Sequence, residues 1–157
     1  MLFRSSGTQF AVTISTVNGW TDWLRGMQEV QRQLEAVGMA VTIDQPQQAA
    51  FEQARAQGDF DLAMGSFGGT GSLYNDFNQL MGSEFTVPVG QTASANFERY
   101  SSPDADSALA SLKVAVDPAA QKQDAYQLQQ LMTKDLPVVP LFYGGLWGLF
   151  SEIGRAH

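Results

Sequence analysis

The chain has 157 residues, 44% of them hydrophobic and 16% charged, a balance suited to one globular domain with its own core. Nine Lys and Arg against sixteen Asp and Glu leave a net charge of −7, and without a basic cluster this excludes a nucleic-acid backbone as the expected partner. No Cys is present and the one His is His157, the last residue, so disulfides, thiolate chemistry, Cys-held metal and any internal imidazole base are excluded.

At the start, Leu2-Phe3-Arg4-Ser5 can be encoded by CTC TTC CGA TCT. At the end, Ile153-Gly154-Arg155-Ala156-His157 can be encoded by ATC GGA AGA GCA CAC. The stem of the second is the reverse complement of the first, and both resemble sequencing-adapter text. Residues 1–5 and 153–157 are therefore expected to be non-native ends, with one domain over 6–152. Removing Arg4 and Arg155 takes the net charge from −7 to −9.

Gln9 to Ser15 alternates Phe10, Val12 and Ile14 with small or polar residues and reads as a strand, followed by a turn at Val17-Asn18-Gly19. Trp20 to Val37 reads as an amphipathic helix carrying Trp20, Trp23, Leu24, Met27, Val30, Leu34 and Val37 on one stripe, stopped by Gly38. Met39 to Gln45 is a second strand. Pro46 is placed in the first turn of a helix that runs over Gln47 to Gln57 and stops at Gly58. Phe60 to Phe67 reads as the third strand. This β-α-β-α-β order with short connections predicts parallel pairing and an α/β fold, a mixed sheet with flanking helices.

Leu73 to Met81 reads as a short helix, and Gly82 to Ala95 as a loop with a short strand at most. Ser102-Pro103-Asp104 opens a helix to about Val114, and Asp117-Pro118 opens another to about Lys134. The Pro-punctuated end predicts strands over Val138 to Tyr143 and Leu146 to Phe150.

Between the third strand and the next helix lies Gly65-Ser66-Phe67-Gly68-Gly69-Thr70-Gly71. A P-loop needs a Gly-Lys-Ser/Thr ending, and no Lys precedes Lys113. The dinucleotide fingerprint fails because Tyr74 stands where its third Gly belongs. The hydrolase elbow fails because Met64 precedes Gly65-Ser66 and no His could serve the Ser. What is left is bare backbone at the carboxyl end of a parallel strand, where open α/β sheets bind ligands. Phe67 and Tyr74 would add flat apolar faces there, and Asn75 and Asp76 hydrogen-bonding groups. An ordinary turn-rich connection without a ligand explains the run equally well.

Other residues weigh similarly. Trp20 is either a stacking platform at the same edge or the first core residue of its helix. Asn18 either reaches a ligand or makes its turn, the turn being favoured. Asp59 and Asp61 share a strand face and read as solvated or turn-bonded rather than as an acid–base pair. From Asp104, an EF-hand would need Gly and Glu where Leu109 and Ala115 stand, so Asp104 and Asp106 read as helix-start carboxylates.

Val17 to Trp23 (VNGWTDW), Gln33 to Ile43 (QLEAVGMAVTI), Gly58 to Phe67 (GDFDLAMGSF), Asn96 to Asp106 (NFERYSSPDAD) and Leu136 to Tyr143 (LPVVPLFY) recur in this order in a known family. The chain resembles the C-terminal lobe of bacterial extracellular solute-binding proteins of the peptide/nickel/oligosaccharide class (family 5) over about residues 9–150. The resemblance implies one lobe of a periplasmic-binding-protein-like fold that closes on its ligand by a hinge, feeding the membrane subunits of an ABC importer. It implies no catalysis and no cofactor or metal, and a monomer when full-length. The implied location is extracellular or periplasmic, including lipid-anchored forms. The candidate ligand-binding residues are Asn18, Trp20, Gly65, Ser66, Phe67, Gly68, Gly69 and Tyr74. Peptide-binding members tend to carry a Trp and then an Asp in the loop after the third strand, the Asp pairing with the peptide amino terminus. Here no carboxylate precedes Asp76, which tilts the ligand from an oligopeptide toward a neutral oligosaccharide. Two other classes compete: a small α/β enzyme using Asp59 or Asp76, and a structural domain whose apolar patch meets a partner.

Overall fold

The computed structural model describes residues 9–67 and 69–142. The expected adapter-derived ends, Gly68 and the Leu146 to Phe150 strand lie outside the described residues.

Strand β1 (Ala11–Ser15) is central in a parallel sheet of order β2-β1-β3, with β2 at Ala40–Asp44 and β3 at Leu62–Ala63. Its register runs Ala11↔Ala40 to Ser15↔Asp44 on one side, and Ile14↔Leu62 with Ser15↔Ala63 on the other. Helix α1 (Thr21–Ala36) joins β1 to β2 and covers one face, packing Trp23, Met27, Val30 and Leu34 on Val12, Ile14, Val41, Ile43 and Met64. This is the stripe the 3.6-residue period predicts, less Leu24, which is not among the residues of this core, and less its ends: Trp20 is the N-cap and Val37 the C-cap, and both are exposed. Helix α2 (Gln48–Gln57) crosses back over β1 and lies on the opposite face, near Ser15, Asp44 and Ala63.

Three expectations change. The third strand is two residues long instead of Phe60 to Phe67. The Asp61 carboxylate accepts the Thr13 N–H at 2.9 Å, taking a β1 donor that faces away from β2 and closing the ladder just before Leu62. Pro46 stands before the N-cap Gln47 instead of inside the helix, and its carbonyl accepts the Asn18 N–H at 2.9 Å. Neither 82–95, which holds only a 3-10 turn at Ser83–Phe85, nor 138–142 contains a strand. Proline at 137 and 140 removes backbone donors that a ladder needs.

The outer edge of β2 is blunted by α1, whose Gln31 Nε2 donates to Val41 O at 2.8 Å. A second core gathers α3 (Leu73–Met81), α4 (Pro103–Val114) and α5 (Pro118–Asp135) around Leu80, Met81, Ala105, Ala108, Leu109, Leu112 and Leu128. The caps are those the sequence predicts. Ser102 accepts the Ala105 N–H, Asp117 accepts the Ala120 N–H, and each helix has Pro in its first turn. Asp106 also reaches across to Ser83, accepting its N–H at 3.0 Å and its hydroxyl at 2.5 Å.

The two cores are tied by the 90–100 segment. Gly58 ends α2 at φ +75°, and the carbonyls behind it are taken by this segment: Gly90 N–H by Gln57 O, Ala93 N–H and Arg99 Nη2 by Ala56 O. Arg99 brings positive charge to the negative end of the helix. Asn96, 1% exposed and at φ +44°, donates from Nδ2 to Gly82 O and Tyr100 O and accepts the Tyr100 N–H.

Candidate functional site at the carboxyl edge of the sheet

Because β1 leads to β2 on one side and the chain then crosses back to β3 on the other, the strand order reverses at β1, whose carboxyl end neighbours that of β3. Such switch points are where open parallel sheets hold ligands.

The first loop runs from Thr16 to Trp20. Thr16 is fully buried and its Oγ1 has no partner, while its N–H reaches Asp44 O at 3.0 Å. Asn18 is exposed, and its bonds go to the β2–α2 connection: N–H to Pro46 O, and Nδ2 to Gln45 O at 3.5 Å. Gly19 adopts φ +86°, which releases the chain into α1. Trp20 is 38% exposed, with its ring set edge-on to Trp23 at a centroid distance of 4.5 Å and an interplanar angle of 79°. Trp23 belongs to the core, so Trp20 rests on a fixed support while keeping part of its surface open.

The second loop leaves β3 after Met64. Gly65, Ser66 and Phe67 are exposed, Phe67 at 48%, and Gly69 and Gly71 both hold φ +79°. Asp76, in the first turn of α3, accepts from both the backbone and the hydroxyl of Thr70. Ser72 caps the helix by accepting the Asn75 N–H.

The topology thus brings Asn18 and Trp20 to the same edge as Gly65, Ser66, Phe67 and Gly69. Tyr74 goes elsewhere. Its ring packs against the α3–α4–α5 core, with Lys113 Nζ 5.4 Å from its centroid. The expectation that Tyr74 offers an open face beside Phe67 misjudged which side of α3 it occupies. Asp76, expected as an open hydrogen-bonding group, is engaged by Thr70.

A cavity of about 230 Å³ opens at the seam between α2 and the sheet, lined by Ser15, Asp44, Phe51, Arg55, Asp59 and Ala63 among others. None of the residues expected to bind ligand lines it. Arg55 is already committed to Glu52 and stacks over Phe97 at 4.3 Å. Nearby, Glu98 is half-buried, with Oε1 shielded and unpartnered. Burial pushes its carboxyl above the ordinary range, against the opposing pull of its own backbone hydrogen bond and of Arg55 and Arg99. Among the described residues, no group of three or more His, Cys, Asp or Glu could hold a metal ion.

Sequence reasoning missed the Thr70–Asp76 bond and the Arg99–Ala56 bond. The first left a faint signal, a carboxylate in a helix's first turn after a Thr-Gly-Ser run. The second left none, since its partners lie far apart in sequence.

No family model and no curated protein matches the chain. Solved structures do. A periplasmic oligopeptide-binding protein of an oligopeptide ABC transporter from Thermotoga maritima, bound to mannohexaose, superposes with a TM-score of 0.84 at 30% identity over 90% of this chain. DppA from Helicobacter pylori, an ABC transporter-associated periplasmic binding protein in complex with the peptide STSA, gives 0.73 at 21% identity over 87%. NikA from Brucella suis, in complex with Fe(III)-EDTA, gives 0.66 at 17% over 88%. The chain spans 26%, 26% and 27% of these three proteins, about a quarter of each.

Proposed function

We propose that this chain, which belongs to the family 5 solute-binding proteins, forms part of the substrate-capturing component of an ABC importer and holds an oligosaccharide at its sheet edge. Residues 6–152 would be the partial C-terminal lobe, with a second lobe closing over the ligand by a hinge. The partners would be the importer's membrane subunits, and the location periplasmic or extracellular.

One observation carries the choice of ligand. Asp76, the first carboxylate after the glycine loop, is bonded through Oδ1 to Thr70, while Trp20 and Phe67 stand partly open at neighbouring strand ends. A peptide with a free amino terminus would bring an ammonium to a glycine loop that itself carries no carboxylate between Gly65 and Gly71, which is unfavourable by several kcal/mol if it is buried unpaired. A sugar brings an apolar ring face for the aromatic side chains and hydroxyls for bare backbone. The relative at 30% identity, although an oligopeptide-binding protein by name, holds mannohexaose. An oligopeptide is the second reading, favoured by the STSA complex of DppA, a protein of the same fold.

Calorimetric titration of the chain with mannohexaose and, separately, with the peptide STSA tests this. Mannohexaose is expected to bind weakly, with a Kd of roughly millimolar order, because contacts come from one side only. Tighter binding of STSA than of mannohexaose would overturn the saccharide reading. Submicromolar binding of either would overturn the one-sided cleft.

A further inference from the structure

The glycine loop is governed by one side chain. Asp76 Oδ1 accepts the Thr70 N–H at 3.2 Å and the Thr70 hydroxyl proton at 2.7 Å. Thr70 Oγ1 in turn accepts the Ser72 N–H at 3.3 Å, so the three residues form one connected turn. Gly69 and Gly71 flank Thr70 with positive φ, and a Cβ built at either would meet nothing within 4 Å. Space therefore leaves these glycines unconstrained, and their backbones have many accessible alternatives. What singles out one arrangement is Asp76, which is fixed in α3, itself anchored through the buried Leu80 and Met81.

We infer that Asp76 is a positioning residue that latches the glycine loop to α3 through Thr70, presetting the backbone around Gly69 and Thr70 at the ligand edge. This rests on the ligand-edge reading above. It also assigns Oδ1 of this carboxylate a partner inside the chain. Preorganisation of this kind raises affinity by lowering the ordering entropy paid on binding.

The test has two readouts on the full chain. Amide hydrogen exchange at Thr70 and Ser72, without ligand, is expected to quicken on the order of tenfold in Asp76→Ala, since a local opening replaces a bonded turn. NMR titration with mannohexaose is expected to show affinity falling by roughly 3- to 10-fold in the same variant. Thr70→Ser keeps both bonds and restores wild-type values in both readouts, whereas Thr70→Val loses the hydroxyl bond and moves both. Should Asp76→Ala lose the wild-type circular dichroism, Thr70→Val against Thr70→Ser carries the test. Unchanged exchange in Thr70→Val and Asp76→Ala overturns the latch. Faster exchange with undiminished mannohexaose affinity overturns its positioning role. If the wild-type chain binds neither mannohexaose nor STSA, the functional reading fails, and the exchange result alone upholds or overturns the latch.

Discussion

The guanidinium of Arg99 lies against Gly58, so close that a Cβ on Gly58 would sit 2.8 Å from Arg99 Cζ. Two constraints meet at this glycine. Its φ of +75° ends α2, and its missing side chain admits the arginine that binds the carbonyl of Ala56. Gly58→Ala is expected to destabilise the chain by about 1–3 kcal/mol in urea unfolding. The contact makes a sharper prediction in a double-mutant cycle. In an Arg99→Ala background the steric part disappears, so Gly58→Ala should cost less there than in the wild type. Equal costs in both backgrounds would mean that backbone strain alone makes the glycine necessary.

Asn96 holds the 90–100 segment to the end of α3 in the helical core. It is buried, its backbone N–H reaches Gln79 O, and its side chain bonds Gly82 and Tyr100. Asn96→Ala leaves Gly82 O, Tyr100 O and Tyr100 N–H without these partners and is expected to cost about 2–4 kcal/mol. Asn96→Asp keeps the acceptor for Tyr100 N–H but sets a carboxylate oxygen against two carbonyls, so it should be no better than alanine at neutral pH. A shift of less than about 2 °C in the melting temperature for either would refute this account.

How legible the molecule was in its sequence follows from the range of each interaction. Gly38 and Gly58 as helix stops, and Ser102-Pro103 and Asp117-Pro118 as starts, depend on neighbours within a few residues, and the structure keeps all of them. The stripe Trp23, Met27, Val30, Leu34 is likewise local periodicity. The apolar run Phe60 to Phe67 misled because strand length is set by a partner, and Asp61 caps β1 before the run can pair. At the candidate site, placing Asn18, Trp20 and Phe67 at one edge followed from strand order alone. The side of α3 that Tyr74 occupies did not, because the packing of α3 on α4 and α5 fixes it.

Trp20 and Phe67 test the ligand edge directly. Both are partly exposed, and neither is among the residues of the two cores, so truncation should leave folding nearly intact. Trp20→Ala removes the edge contact with Trp23 and is expected to lower stability by about 1 kcal/mol or less. Mannohexaose affinity is expected to fall on the order of tenfold for Trp20→Ala and somewhat less for Phe67→Ala, read by NMR titration. Tyr74→Phe, which keeps the ring packed in the helical core, should leave that affinity unchanged. A loss of affinity in Tyr74→Phe comparable to that in Trp20→Ala would place the ligand against α3 instead.

Glu98 yields a pH prediction whose sign is fixed by its environment. Burial raises its folded pKa above the ordinary 4.5, so the folded state holds its proton more tightly than the unfolded chain does. Its contribution to stability is therefore greatest below the unfolded pKa and declines as pH rises from there through the raised folded value, remaining lower at neutral pH. Glu98→Gln removes this ionisation. The variant should be more stable than wild type at pH 7, by less than about 1 kcal/mol because the group is partly solvent-screened. The difference should shrink toward zero as pH falls below about 4. Thermal melts of both proteins across pH 3 to 8 decide it. A gain that stays constant across that range would trace to a new amide hydrogen bond in place of the lost charge, and a loss at pH 7 would show that Arg55 and Arg99 outweigh burial.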